Sequence, residues 1–273
     1  MKLGITVHNK GPESSRALMV RCAQTAERNG LDDLWIEDHV AIPPDDAEGS
    51  GGRYLDPMTT LAYLAACTQE IGLGTGVLNI PYRAPLPTAK AIATVQELSG
   101  GRLSVGVGVG WMAAEFKALG ISRSDRGRLT NEGLAFIRRC FAADEVESNG
   151  QPFLFLPRPA CPPIYIGGGA PHALERTVAY GDGWLPMAGN PQKLREPIQQ
   201  LGEMAAKAGK PTPEVKVMTA LPLSDPQKAL DMASAMLEVG VTSLVHGARY
   251  REFSEFEEQA ERASACRGAL SGR

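Results

Sequence analysis

The chain is short of several features that would mark a functional class at once. Its 28 Lys and Arg stand against 31 Asp and Glu, a formal net charge of −3. It therefore lacks the basic excess with which nucleic-acid and anionic-membrane binders hold phosphate. Five cysteines, Cys22, Cys67, Cys140, Cys161 and Cys266, include no Cys-x-x-Cys pair. An odd, scattered set excludes a disulfide framework and a zinc knuckle, and reads as thiols in a reducing cytoplasm. No apolar run approaches the roughly 18 residues that a membrane span needs. Met1-Lys2 leads directly into a strand-like run, leaving no room for a signal peptide. There is no Gly-x-Ser-x-Gly elbow, no His-Glu-x-x-His, and no internal repeat or low-complexity linker, so motif support for serine hydrolysis and helical zinc sites is absent. The expectation is one cytoplasmic domain acting on a small molecule, with no nucleic acid and no membrane as partner.

What is present is a regular alternation. Strand-like runs at 2–7, 34–37, 71–76, 103–109, 163–167, 183–186, 215–221 and 243–246 are separated by amphipathic, helix-length segments. Eight strand–helix pairs in 273 residues match the count and size of a closed (β/α)8 TIM barrel, which needs roughly 250 residues. Most of these runs are continuously apolar, as strands covered on both faces should be. An open doubly wound sheet is the rival architecture. The barrel is expected over 1–268 with a tail at 269–273. Residues 41–56, rich in Pro, Gly and Asp, read as a mobile loop over the rim. A short aromatic hairpin around Phe153 and Phe155 is inserted before the fifth barrel strand, and we expect it, the loop and the rim near Trp111 to set substrate choice.

Histidine is scarce as well, yet three of four, His8, His39 and His246, fall where an apolar run ends. In a parallel barrel such positions meet on the rim that carries chemistry, and imidazole serves there as acid, base, anion partner or metal ligand. In Glu37-Asp38-His39 a carboxylate beside the ring would orient it for proton transfer; alternatively Asp38 caps the loop and His39 packs beneath it. Without His-x-His or a carboxylate cluster, no metal ligands are assigned.

Glycine is abundant and patterned. In Gly72-Leu73-Gly74-Thr75-Gly76 and Gly106-Val107-Gly108-Val109-Gly110 it occupies every second position, leaving one strand face bare. That face either floors a flat ring or gives room to a neighbouring strand. Trp111 stands where a dinucleotide fingerprint needs its last glycine, so the second run is not a Rossmann phosphate loop. Ile166-Gly167-Gly168-Gly169-Ala170-Pro171-His172 joins a strand to a helix. Free amides at that positive helix end would hold a phosphate, or the glycines make a plain tight turn. His172 reads as a helix-start residue.

In this order the motifs resemble the luciferase-like monooxygenase family, especially its members that use the deazaflavin coenzyme F420. The likeness rests on Trp35–His39, Leu55–Leu61, Gly72–Pro85, Leu98–Leu103, Gly106–Phe116 and Tyr180–Trp184. The resemblance implies a (β/α)8 barrel with the cofactor standing in its mouth. Asp38 would hydrogen-bond the cofactor, with His39 facing the ring as acid/base or as partner to the reduced anion. Gly76-Val77 matches a non-proline cis peptide beneath the ring. Asn79, Val109 and Gly110 would contact the ring or its ribityl chain, and Gly167, Gly168 and Gly169 the phosphate. The catalytic glutamate that some sugar-phosphate dehydrogenases of this family carry after the glycine strand is replaced by Trp111, and Glu115 lies a helical turn farther on. The expected activity is hydride transfer between F420 and a small organic substrate, with a separate flavin or F420 reductase as the expected partner. Alternatives are an FMN-dependent monooxygenase served by a separate flavin reductase, a non-catalytic cofactor carrier, or a metal-dependent barrel lyase or hydrolase. A homodimer is also implied.

Overall fold

The structure, a computed structural model, describes residues 1–271. Ten strands are present among them: β1 (Lys2–Thr6), β2 (Asp33–Ile36), β3 (Gly72–Asn79), β4 (Leu103–Gly108), β5 (Glu145–Ser148), β6 (Gln151–Leu154), β7 (Ile164–Gly167), β8 (Gly183–Leu185), β9 (Glu214–Thr219) and β10 (Ser243–His246). Eight of them, all but β5 and β6, pair in parallel and close into a barrel in chain order, with β10 returning to β1. Helices α1 (Arg16–Arg28), α2 (Pro57–Cys67), α3 (Pro85–Leu98), α4 (Ala113–Ala118), α5 (Arg126–Ala142), α6 (His172–Tyr180), α7 (Gln192–Lys207), α8 (Pro226–Glu238) and α9 (Phe253–Ser271) accompany it. The expected (β/α)8 barrel is the fold, and the open sheet is excluded by closure. Position 269, where the tail was expected, lies inside α9; positions 272 and 273 lie outside the described residues.

Local chemistry explains where the helices begin. Asp56 Oδ1 accepts the Thr59 N–H at 2.9 Å and Pro57 opens α2. Asp225 and Pro226 repeat the arrangement at α8, a side-chain acceptor and a preset φ satisfying the first turn. At the opposite, N-terminal end of the barrel, Arg102 donates to the carbonyls of Ala65, Thr68, Ile71 and Ser99. The Gly100-Gly101-Arg102 segment of the family pattern is thus a structural clamp.

The barrel interior decides what the alternating glycines are for. Trp35 is fully buried and packs with Tyr165, Leu185 and Val245, side chains from four strands that meet only inside the barrel. Its indole N–H donates to Asp33 Oδ1 at 2.7 Å, and Lys216 Nζ pairs with Asp33 Oδ2. A Cβ at Gly74 would lie 2.4 Å from the Trp35 ring; one at Gly106 would lie 2.1 Å from the Thr75 carbonyl. These two glycines therefore make room for neighbours and do not floor an open slot.

Two expectations about the periphery change. The hairpin of β5 and β6 forms, turning at Asn149 and Gly150 with φ of 53° and 75°. It follows a helix and precedes a strand, however, so it leaves from the barrel's N-terminal end. Phe155 is buried against Phe141, with Lys90 above its ring, and the hairpin takes no part in the mouth. The 41–56 loop does lie on the rim, but its ends are tied. Arg53 donates to Ser14 Oγ and Leu55 N–H to the Asn9 carbonyl.

Candidate active site in the barrel mouth

A cleft of about 870 Å³ opens at the C-terminal ends of β3, β4, β7 and β8, a size suited to a drug-sized ligand. Gly76, Val77 and Asn79 form one side, Val109 and Gly110 the next, and Gly167, Gly168 and Gly169 the far end. All eight of these positions were singled out in the sequence, and the fold gathers them in one place. The Gly76–Val77 peptide is cis, and the β3–β4 register shifts between Thr75 and Leu78. β3 continues past this bend to Asn79, three residues beyond its expected end. Leu185, Met218 and Leu194 add apolar wall, while Trp111 and Met187 stand at the lip 63 % and 86 % exposed. Large apolar side chains left in solvent beside a cleft mark a binding surface.

At the far end, Gly168 has φ 106°, and a Cβ on Gly169 would meet no atom within 4 Å. Among the described residues the Gly168 and Gly169 amides have no backbone acceptor. The Gly168 carbonyl is held by the Trp184 indole N–H at 2.8 Å, which fixes the turn and explains Trp184 in the family pattern. Immediately after it α6 begins. A turn with open space, free amides and a helix start fits an anionic group.

The charged residues behind the cleft are arranged differently from expectation. Asp38 is buried, and its carboxylate is taken by Arg83 in a two-pronged pair at 2.6 and 2.7 Å and by the Asn79 amide at 2.8 Å. It therefore neither orients His39 nor presents an oxygen to the cleft; it fixes Asn79, which does line it. His39 is oriented instead by Glu115, 3.0 Å from its Nδ1. Glu115 is fully buried and also accepts from Tyr82 Oη at 2.8 Å and from the amides of Val40 at 2.6 Å and Ala41 at 3.2 Å. Burial and this carboxylate push the Tyr82 hydroxyl pKa well up, so Tyr82 stays a proton donor. Because a carboxylate only accepts, Nδ1 is the donor of this pair, which leaves Nε2 as the ring nitrogen not engaged by Glu115. The ring does not itself line the cleft. It stands edge-on to Trp111, centroids 6.0 Å apart, with Tyr54 on its other side at 4.9 Å.

The family model for luciferase-like monooxygenases matches residues 1–269. The chain belongs to this family. It is 34 % identical over 200 residues to 5,10-methylenetetrahydromethanopterin reductase of Methanolobus tindarius, a match covering 71 % of this chain and 57 % of that one. The chain thus spans little more than half the length of that relative. Among solved structures, monooxygenase RslO1 from Streptomyces bottropensis superposes with a TM-score of 0.83 at 20 % identity, covering 99 % of this chain and 100 % of that one. The coenzyme F420-dependent tetrahydromethanopterin reductase from Methanopyrus kandleri gives 0.73 at 19 %, covering 96 % and 98 %. At such identities the structural likeness speaks for the fold.

In this luciferase-like barrel the other histidines have separate employment. His8 stacks on Tyr250 at 4.1 Å and its Nε2 lies 3.0 Å from the Ala248 carbonyl. His246 accepts the Leu221 N–H on Nδ1 and meets Gln259 Oε1 with Nε2. Burial lowers both pKa values. The two are neighbours of His39 around the rim, yet the three imidazoles do not converge. His172 starts α6 and faces solvent. Among the described residues no three His, Cys, Asp or Glu side chains group as metal ligands, and no helix is long and apolar enough to cross a membrane.

Proposed function

We propose that the protein is an oxidoreductase that binds the deazaflavin coenzyme F420 in the mouth cleft and moves a hydride between its ring and a small organic substrate. One observation carries the reading: a single cleft joins an apolar slot beside the Gly76–Val77 bend to the open, amide-lined turn at Gly168 and Gly169. A flat ring with a phosphate on its chain has the complementary shape and charge. The similarity to a 5,10-methylenetetrahydromethanopterin reductase supports the deazaflavin, since the tetrahydromethanopterin reductase of Methanopyrus kandleri is coenzyme F420-dependent; the shared fold by itself does not separate the deazaflavin from FMN. Bound there, the coenzyme supplies the hydride donor or acceptor, and the protein supplies position and proton management.

In this reading Asn79, held by Asp38, and Gly76, Val77, Val109 and Gly110 position the ring, while Gly167, Gly168 and Gly169 hold the phosphate. Glu115 keeps the His39 Nδ1–H pointed inward, so proton exchange with substrate falls to Nε2. Trp111 and Met187 exclude water at the lip and favour an apolar substrate face. The protein works in the cytoplasm, as a homodimer, with a separate reductase renewing the reduced coenzyme.

Titration of the purified protein with F420 and with FMN, followed by ring fluorescence, tests the cofactor directly. The expected result is micromolar F420 binding and much weaker FMN binding. Micromolar FMN binding with none for F420 would instead make the protein an FMN-dependent monooxygenase.

A further inference from the structure

A second cleft of about 490 Å³ lies between the N-terminal half of α5 and the length of α6, and Val109 lines both it and the mouth cleft. His172 opens onto it three residues after Gly169, so the turn that ends the first cleft leads into the second. Its polar lining is led by two guanidiniums, Arg126 and Arg176, with Ser124 and Asn131 beside them. Arg176 is half-buried and gives its Nε–H to Asn131 Oδ1 at 2.7 Å. Among the described residues neither Arg126 nor Arg176 is in an ion pair, although Arg128 nearby is paired with Asp125 and Glu132. The one carboxylate in the lining, Glu175, is directed to His172.

A half-buried guanidinium with no carboxylate in hydrogen-bond contact forfeits solvation, and its nearby counter-charge is the exposed Glu175, which a bound anion would supplement. Burial accordingly holds the Arg176 pKa below its ordinary value. Phosphate alone does not need this cleft, because the Gly168–Gly169 turn already offers it amides. We propose that the Arg126–Arg176 cleft is a subsite for carboxylate groups on a chain extending beyond the cofactor phosphate. This rests on the F420 reading above, and would make the cleft the feature that separates F420, whose phosphate continues into a glutamate-bearing tail, from FMN, whose chain ends at the phosphate.

The test compares dissociation constants, by deazaflavin fluorescence at low and at physiological ionic strength, for F420, for the deazaflavin riboside lacking phosphate and tail, and for that riboside's 5′-phosphate, which lacks the tail alone. Wild type, Arg176→Ala, Arg176→Lys and Arg126→Ala are compared, with circular dichroism to verify folding; Arg126, on the separate helix α5, serves if Arg176→Ala does not fold. The proposal expects each Arg→Ala variant to weaken F420 binding about 10-fold or more, the scale of a charge-assisted hydrogen bond. Arg176→Lys should restore part of it. The loss should be confined to tailed F420 and should shrink with added salt. Unchanged F420 affinity in folded variants, with the riboside still bound, overturns this subsite and leaves the mouth-cleft reading standing. Failure of all three deazaflavins to bind overturns the two together.

Discussion

Glu115 takes four hydrogen bonds on two oxygens while shut off from solvent, and its value to the molecule follows from that load. Replacing it with alanine strands two amides, a tyrosine hydroxyl and an imidazole, so Glu115→Ala should cost about 3–5 kcal/mol, the range for breaking a buried charged partnership. His39 is different: it is one partner of that carboxylate and not the anchor of the loop. His39→Ala should therefore leave the circular dichroism spectrum and unfolding midpoint near those of wild type while lowering turnover about 10²–10⁴-fold, the span for loss of general acid/base help. Steady-state kinetics on the folded variant measures this, and unchanged turnover would remove His39 from the chemistry. Asp38, locked against Arg83, belongs with the anchors.

Among the elements, the junction of β10 with α9 has a pH dependence that can be worked out. His246 must be neutral to accept the Leu221 N–H on Nδ1 while meeting Gln259 with Nε2, and burial lowers its pKa. The unfolded chain then takes up a proton more readily than the folded one. The stabilisation is complete above the unfolded value of about 6.5 and is lost as pH falls through it. His8, also lowered by burial, adds in the same direction. The unfolding midpoint should fall between pH 7.5 and 5.5, and His246→Gln should flatten that fall; an unaltered slope would mean that His246 is not the group responsible. The strands β3 and β4 show the opposite kind of constraint, set by shape. Gly74 and Gly106 are small because Trp35 of β2 and the Thr75 carbonyl need the space.

For the whole molecule, the sequence made the barrel legible because most of its strands are largely buried, apolar runs whose neighbours follow in chain order. The glycine positions of the cleft were legible for a related reason: they sit at strand ends, and closure brings strand ends together. What was not legible depends on partners remote in the chain. Glu115 meets His39 across 76 residues and Arg83 meets Asp38 across 45, and neither spacing has a local period. The two readings of the glycine runs likewise turned on an indole from another strand, and the hairpin's place on which end of the barrel its connection leaves from. The central claim is that the mouth cleft holds a planar redox ring. A crystal structure of the protein grown with F420 tests it most directly. The account predicts the ring between the Gly76–Val77 bend and Leu185, with phosphate at the Gly168 and Gly169 amides. A ring bound elsewhere on the rim, such as in the separate pocket of about 430 Å³ that His8, Tyr250 and Arg249 line, would contradict it.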